Sequence, residues 1–67
     1  MKYKGRIVRI MADRRFGFIR IEQSEYFFHK DDCLNDCWDY LVPGVSVACE
    51  IQSDNPKGPR VMNVELV

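Results

Sequence analysis

No stretch of this 67-residue sequence approaches the length of uninterrupted apolar residues that a membrane-spanning helix needs. Internal repeats, low-complexity segments and long linkers are also missing, which leaves a single domain over residues 1–67. The opening Met1-Lys2-Tyr3-Lys4-Gly5 holds no signal-peptide core or cleavage site and runs straight into a strand-like pattern, so a cytoplasmic location is expected. Three cysteines, Cys33, Cys37 and Cys49, cannot all pair within one chain, and they read as free thiols of a reducing compartment. A chain this short buries only about 60% of the surface it exposes when unfolded, which leaves little room for a deep cleft beside a core. Function is to be sought on the surface.

The residues for catalysis are lacking too. The single histidine, His29, has no recognisable orienting carboxylate or activated nucleophile around it, so neither an enzyme nor a small-molecule substrate is expected. His29, Cys33 and Cys37 follow a His-x3-Cys-x3-Cys run that is not a usual zinc spacing, and Cys49 falls inside a strand pattern. No metal and no cofactor are expected.

What is present is a globular composition, 46% hydrophobic and 30% charged. The net charge of zero conceals an asymmetry: residues 1–21 carry seven bases against one acid, a net of +6, and residues 22–67 carry three against nine, a net of −6. Such polarity creates a basic face that attracts polyanions, unless the two halves mix in space and neutralise each other.

Five strands are predicted. The first covers Tyr3 to Met11, where Ile7 and Val8 interrupt the alternation and Gly5 suggests a bulge or bend. Ala12-Asp13-Arg14 leads into a second strand from Arg15 to about Glu22, and Gln23-Ser24 turns into a third from Glu25 to His29. Residues 30–44 form the longest non-strand region, with Asp31-Asp32 placed to cap a short helical turn and Pro43-Gly44 to close it. The fourth strand, Val45 to Gln52, sends Val45, Val47, Cys49 and Ile51 inward. After a turn through residues 53–58, the last strand runs from Arg60 to Val67 with Met62, Val64 and Leu66 inward. Five short strands and almost no helix favour an all-β fold, a five-stranded antiparallel barrel whose closure removes exposed edges.

The second strand has two apolar faces, and only one can be core. Phe16, Phe18 and Arg20 share one, and Gly17, Ile19 and Ile21 the other. The fourth and fifth strands commit aliphatic faces to the interior, which matches Ile19 and Ile21 with Tyr26 and Phe28. Phe16, Phe18, Arg20, Phe27 and His29 then share the outer face of a hairpin; the alternative has the Phe pair in the core and the Ile pair outside. A contiguous exposed aromatic patch marks a binding site. Rings interleaved with cations suit single-stranded nucleic acid, where each base stack is worth roughly 1–3 kcal/mol and cations hold the phosphates.

Arg14-Arg15-Phe16-Gly17-Phe18-Ile19 resembles the first ribonucleoprotein motif of the cold-shock domain family, usually Lys-Gly-Phe-Gly-Phe-Ile. Tyr26-Phe27-Phe28-His29 is similar to the second, usually Val-Phe-Val-His-Phe. Lys57-Gly58-Pro59-Arg60-Val61-Met62-Asn63-Val64 resembles the Lys-Gly-Pro-x-Ala-x-Asn-Val close of bacterial members. The blocks come in order at nearly the family spacing and cover almost the whole chain. The resemblance implies a single cold-shock-type OB-fold barrel that binds single-stranded RNA or DNA with low sequence specificity, acting as an RNA chaperone or as a transcriptional or post-transcriptional regulator. Carried over by position, Phe16, Phe18, Phe27 and His29 match the stacking platform, and Trp38 falls where a loop aromatic often stacks. Arg14 matches a backbone-contacting lysine, and Lys57 and Arg60 lie in a loop that approaches the strand.

The departures are specific. Arg9 stands in place of a stacking Trp, Ile10 of Phe, Met11 of Asn, Arg15 of the first motif Gly, and Lys30 of the Phe after the histidine. Rings are lost and the cations Arg9, Arg15 and Lys30 gained, which predicts binding that is more electrostatic and more salt-sensitive. Trp38 has two readings, contact with bases or packing of its acidic loop onto the barrel. The aromatic patch has a second reading as well, a protein-interaction surface on a reused barrel, motivated by the acidic second half and the lost rings. A monomer is expected, with a dimer as the alternative.

Overall fold

The computed structural model describes residues 1–67. Its strands are β1 (Tyr3–Met11), β2 (Phe16–Ile21), β3 (Ser24–His29), β4 (Ser46–Gln52) and β5 (Arg60–Leu66). Two single 3₁₀ turns, Lys30–Asp32 and Cys37–Tyr40, interrupt the long connection between β3 and β4. The strands close in the order β1-β2-β3-β5-β4, an all-β, OB-like barrel. Every pairing is antiparallel except the closing one, where β3 meets β5 in parallel at Phe27 and Arg60 alone. The connection reinforces that thin seam: Cys33 bridges to Val64, and the Leu34 N–H donates to the Val64 carbonyl at 2.7 Å. No helix is long and apolar enough to cross a membrane.

The core answers the question of the two faces. Ile19, Ile21 and Phe28 are buried with Ile7, Val47, Cys49, Val61 and Val64, and the connection adds Cys37 and Leu41. Tyr26 is half-buried against them. Gly17 shares the interior face of β2, where a Cβ would lie 2.6 Å from the Arg9 carbonyl oxygen and 2.9 Å from the Phe28 ring. Only glycine lets β1 and the Phe28 ring approach β2 this closely.

Two local expectations are corrected. Gly5 is a close-approach position rather than a bulge, since a Cβ there would meet the Arg20 carbonyl oxygen and the Ile19 side chain, both at 2.7 Å. The β1 bulge lies at Val8, because Ile7 pairs with Ile19 while Arg9 already pairs with Phe18. In β5, Val61 rather than Met62 is buried with Val64, and Leu66 shares the interior side but stays 43% exposed. The cause is a second bulge: Ala48 pairs with Glu65 but Glu50 with Met62, so β5 carries an extra residue there. Asn63 adopts φ 52° at this point, in the left-handed region, and its Nδ2 donates to Glu50 Oε1 at 3.3 Å. The alternation shifts phase by one residue.

Candidate nucleic-acid interface

Strand alternation sends Phe16, Phe18 and Arg20 outward from β2 and Phe27 and His29 outward from β3. Cross-strand register then assembles them into rows. Arg9 pairs with Phe18, Phe18 with Phe27, and Phe27 with Arg60, so one row across β1, β2, β3 and β5 reads cation, ring, ring, cation. A neighbouring row reads Met11, Phe16, His29, and on the other side Arg6, Arg20, Glu25. The Val8 bulge is what admits Arg9, since uninterrupted alternation from Ile7 would turn Arg9 inward.

The three rings form one cluster. Phe16 and Phe27 lie 5.4 Å apart at 35°, Phe16 and Phe18 5.9 Å apart at 89°, and Phe18 and Phe27 6.2 Å apart at 75°. Tilted and edge-on pairs of this kind contribute about 0.5–1.5 kcal/mol each beyond area burial, which offsets part of the cost of keeping rings at the surface. Each end of the row is capped by a guanidinium: Arg9 lies 5.9 Å from the Phe18 ring centre and Arg60 5.6 Å from that of Phe27. Phe27 is exposed, and Phe16 and Phe18 are half-buried.

Asp32 organises the β3 end of this surface. One carboxylate oxygen accepts from the His29 N–H at 2.8 Å and also bridges to Arg60. The His29 Nδ1 accepts from the Asp31 N–H at 3.1 Å, which leaves Nε2 as the nitrogen available to a ligand. His29 thus caps the 3₁₀ turn Lys30–Asp32 reciprocally with Asp32, and the imidazole is oriented before anything binds.

Arg14, Arg15 and Lys30 stand at the rim. The Arg14 and Arg15 N–H groups both donate to the Met11 carbonyl, and the Lys30 N–H donates to the Arg15 carbonyl at 2.8 Å. Arg15 sits at φ 62°, the conformation glycine adopts most readily. Arg20 is engaged by Glu25 at 2.8 Å. Lys57 lines a cleft of about 270 Å³ with Phe27, Asn55, Gly58, Pro59 and Arg60. Its own N–H donates to Asn55 Oδ1 at 2.8 Å, fixing the β4–β5 turn beside Phe27.

Trp38 is not brought to the ring cluster. It lies half-buried, 5.8 Å from the interior Phe28 in an edge-on pair, and packs its loop against the core. Tyr40 beside it is 68% exposed. No three groups among His, Cys, Asp and Glu gather in a metal-holding arrangement. Burial pushes the Cys49 thiol up to about 11, and burial with the neighbouring Cys37 pushes Cys33 up to about 12, so neither is an activated nucleophile.

Sequence reasoning passes over Asp32 as the anchor of Arg60, because 28 residues separate the two. Its capping position after His29 is the only local signal. Lys4 and Arg6 are also passed over, although their outward alternation on β1 is readable. The chain matches no family model and no curated protein.

Proposed function

We propose that this barrel binds single-stranded RNA or DNA on its β1–β2–β3 face, without catalysing a reaction. The observation that supports this best is the row Arg9–Phe18–Phe27–Arg60, in which two rings able to stack on bases are flanked by guanidinium groups able to stack or to hold phosphate. Phe16 and His29 extend the stacking surface by one row, and Arg14, Arg15, Lys30 and Lys57 supply charge around it. The likeness of its three motifs to cold-shock domains points the same way, and a cytoplasmic role as an RNA chaperone or regulator is part of the same proposal. Such a surface holds unpaired bases and so draws base-paired RNA toward its open form by mass action, without ATP.

The test is fluorescence anisotropy with labelled unstructured RNA and DNA strands and a duplex control, titrated with salt. Wild-type protein should bind the single strands and show a steep salt dependence. Phe18→Ala and Phe27→Ala should each weaken binding by roughly 1–3 kcal/mol, with the domain still folded by circular dichroism. Undetectable binding at low salt, or equal binding to duplex and single strand, rejects the proposal. A protein partner that oligonucleotide fails to displace from this face would favour the interaction-module reading instead.

A further inference from the structure

The proposed stacking rows use only part of the basic surface. Of the ten Lys and Arg side chains, Lys2, Arg20 and Arg60 are paired with carboxylates and the other seven are not. Three of the unpaired ones, Lys4, Arg6 and Arg9, are exposed along a single strand, β1. Strict alternation would put Lys4 and Arg6 on one side and Arg9 on the other. The bulge at Val8 brings all three to the outer side. Arg9 belongs to the Phe18 row and Arg6 to the Arg20 row; Lys4 lies beyond both, paired with Ala48 of β4. Beside Arg6 the surface is concave, a cleft of about 440 Å³ lined by Lys4, Arg6, Arg20, Glu22 and Ser46, with Val67 its one apolar side chain.

A cleft with two unpaired cations and no aromatic ring in its lining suits phosphate better than bases, which stack on a π-face. We infer that Lys4 and Arg6 form a phosphate track that leads from Arg9 off the ring cluster, so that a bound strand continues past the stacked bases with its sugar-phosphate backbone held along β1. This rests on the single-strand reading above and goes beyond it: it assigns Lys4 and Arg6 to the strand's backbone and fixes the end of the ring cluster from which the strand exits. Glu22, which also lines the cleft, opposes a phosphate there and limits the gain.

The experiment compares a short strand of about six nucleotides with the same strand carrying about four abasic nucleotides at one end or the other, all within the ~4–16 nucleotide site sizes of OB folds. The tail supplies phosphates and no bases. A tail at one end should tighten wild-type binding and steepen the salt slope, and a tail at the other end should do neither. The double substitution Lys4→Gln, Arg6→Gln should abolish the tail's gain, lowering the slope by about 0.7 for each phosphate no longer neutralised, and leave the untailed strand within about twofold of wild type. Glu22→Gln should increase the gain. The inference is overturned if neither tail adds affinity, if both add equally, or if the double substitution weakens short and tailed strands alike. Failure of the untailed strand to bind wild-type protein at all rejects the single-strand reading itself, and the track with it.

Discussion

The guanidinium carbon of Arg60 lies 5.6 Å from the centre of the Phe27 ring, and Asp32 holds it there. The same carboxylate caps the turn after β3 through the His29 N–H. A single acid therefore holds the Arg60 cation beside the Phe27 ring and anchors the His29 backbone, on the side of the face where β3 and β5 barely pair. Asp32→Ala removes both interactions and should lower stability by about 1 kcal/mol, the scale of a missing cap, as read by urea denaturation. Asp32→Asn retains an acceptor for His29 but frees Arg60, so strand binding should tighten at low salt and become more salt-dependent. An unchanged salt slope would remove Asp32 from this role.

Phe27 and Phe28 are adjacent in sequence and should fail in opposite ways. Phe28 is fully buried, and Phe28→Ala should cost about 3–5 kcal/mol, most of the stability of a domain this small. Circular dichroism should show a largely unfolded chain. Phe27→Ala removes a surface ring and its two contacts in the cluster, which should cost about 1–3 kcal/mol, leaving the chain folded while strand affinity falls.

Gly17→Ala should destabilise by about 1–3 kcal/mol, the range for overpacking. The added methyl meets the Arg9 carbonyl oxygen, a backbone atom that cannot turn aside, at 2.6 Å. A thermal midpoint equal to wild type would mean that β1 can move away from β2.

Arg15→Gly should separate stability from binding. A non-glycine residue in the left-handed region costs about 1–2 kcal/mol, partly offset by the roughly 0.5–1 kcal/mol of extra freedom that glycine loses on folding. The variant should therefore unfold at slightly higher urea while its salt slope for strand binding falls by about 0.7. A loss of stability would show that packing of the Arg15 side chain outweighs its backbone strain.

Cys49 predicts the direction of alkaline destabilisation. Burial raises its thiol from the ordinary 9.0 to about 11. Between those values the unfolded chain releases the proton and the folded one keeps it, so stability is complete below pH 9 and declines as pH rises toward 11. Urea midpoints at about pH 8 and about pH 10, on either side of the unfolded thiol's titration, should diverge less for Cys49→Val than for wild type.

Much of the architecture is legible locally. Short alternating runs punctuated by polar turns place the five strands to within a residue or two, because alternation reports which face is buried. Ile19 and Ile21 inside, Phe16 and Phe18 outside, follow from requiring β2 to share the aliphatic face of β4. Trp38 cannot be placed this way, since a loop residue has no alternation to read, and only packing against Phe28 locates it.

The sequence by itself determined that rings and cations alternate on one hairpin and that an excess of positive charge lies before residue 22. The tertiary structure alone decided which of them meet. The bulges at Val8 and Asn63 shift strand phase by one residue, a displacement set by pairing with β2 and β4 rather than by local propensity. Through the first of them Arg9 joins Phe18, Phe27 and Arg60 in one row, and Lys4, Arg6 and Arg9 come to lie along the outer face of β1. Hydrophobic alternation is a property of neighbours in the chain, whereas register is a property of neighbours in the barrel.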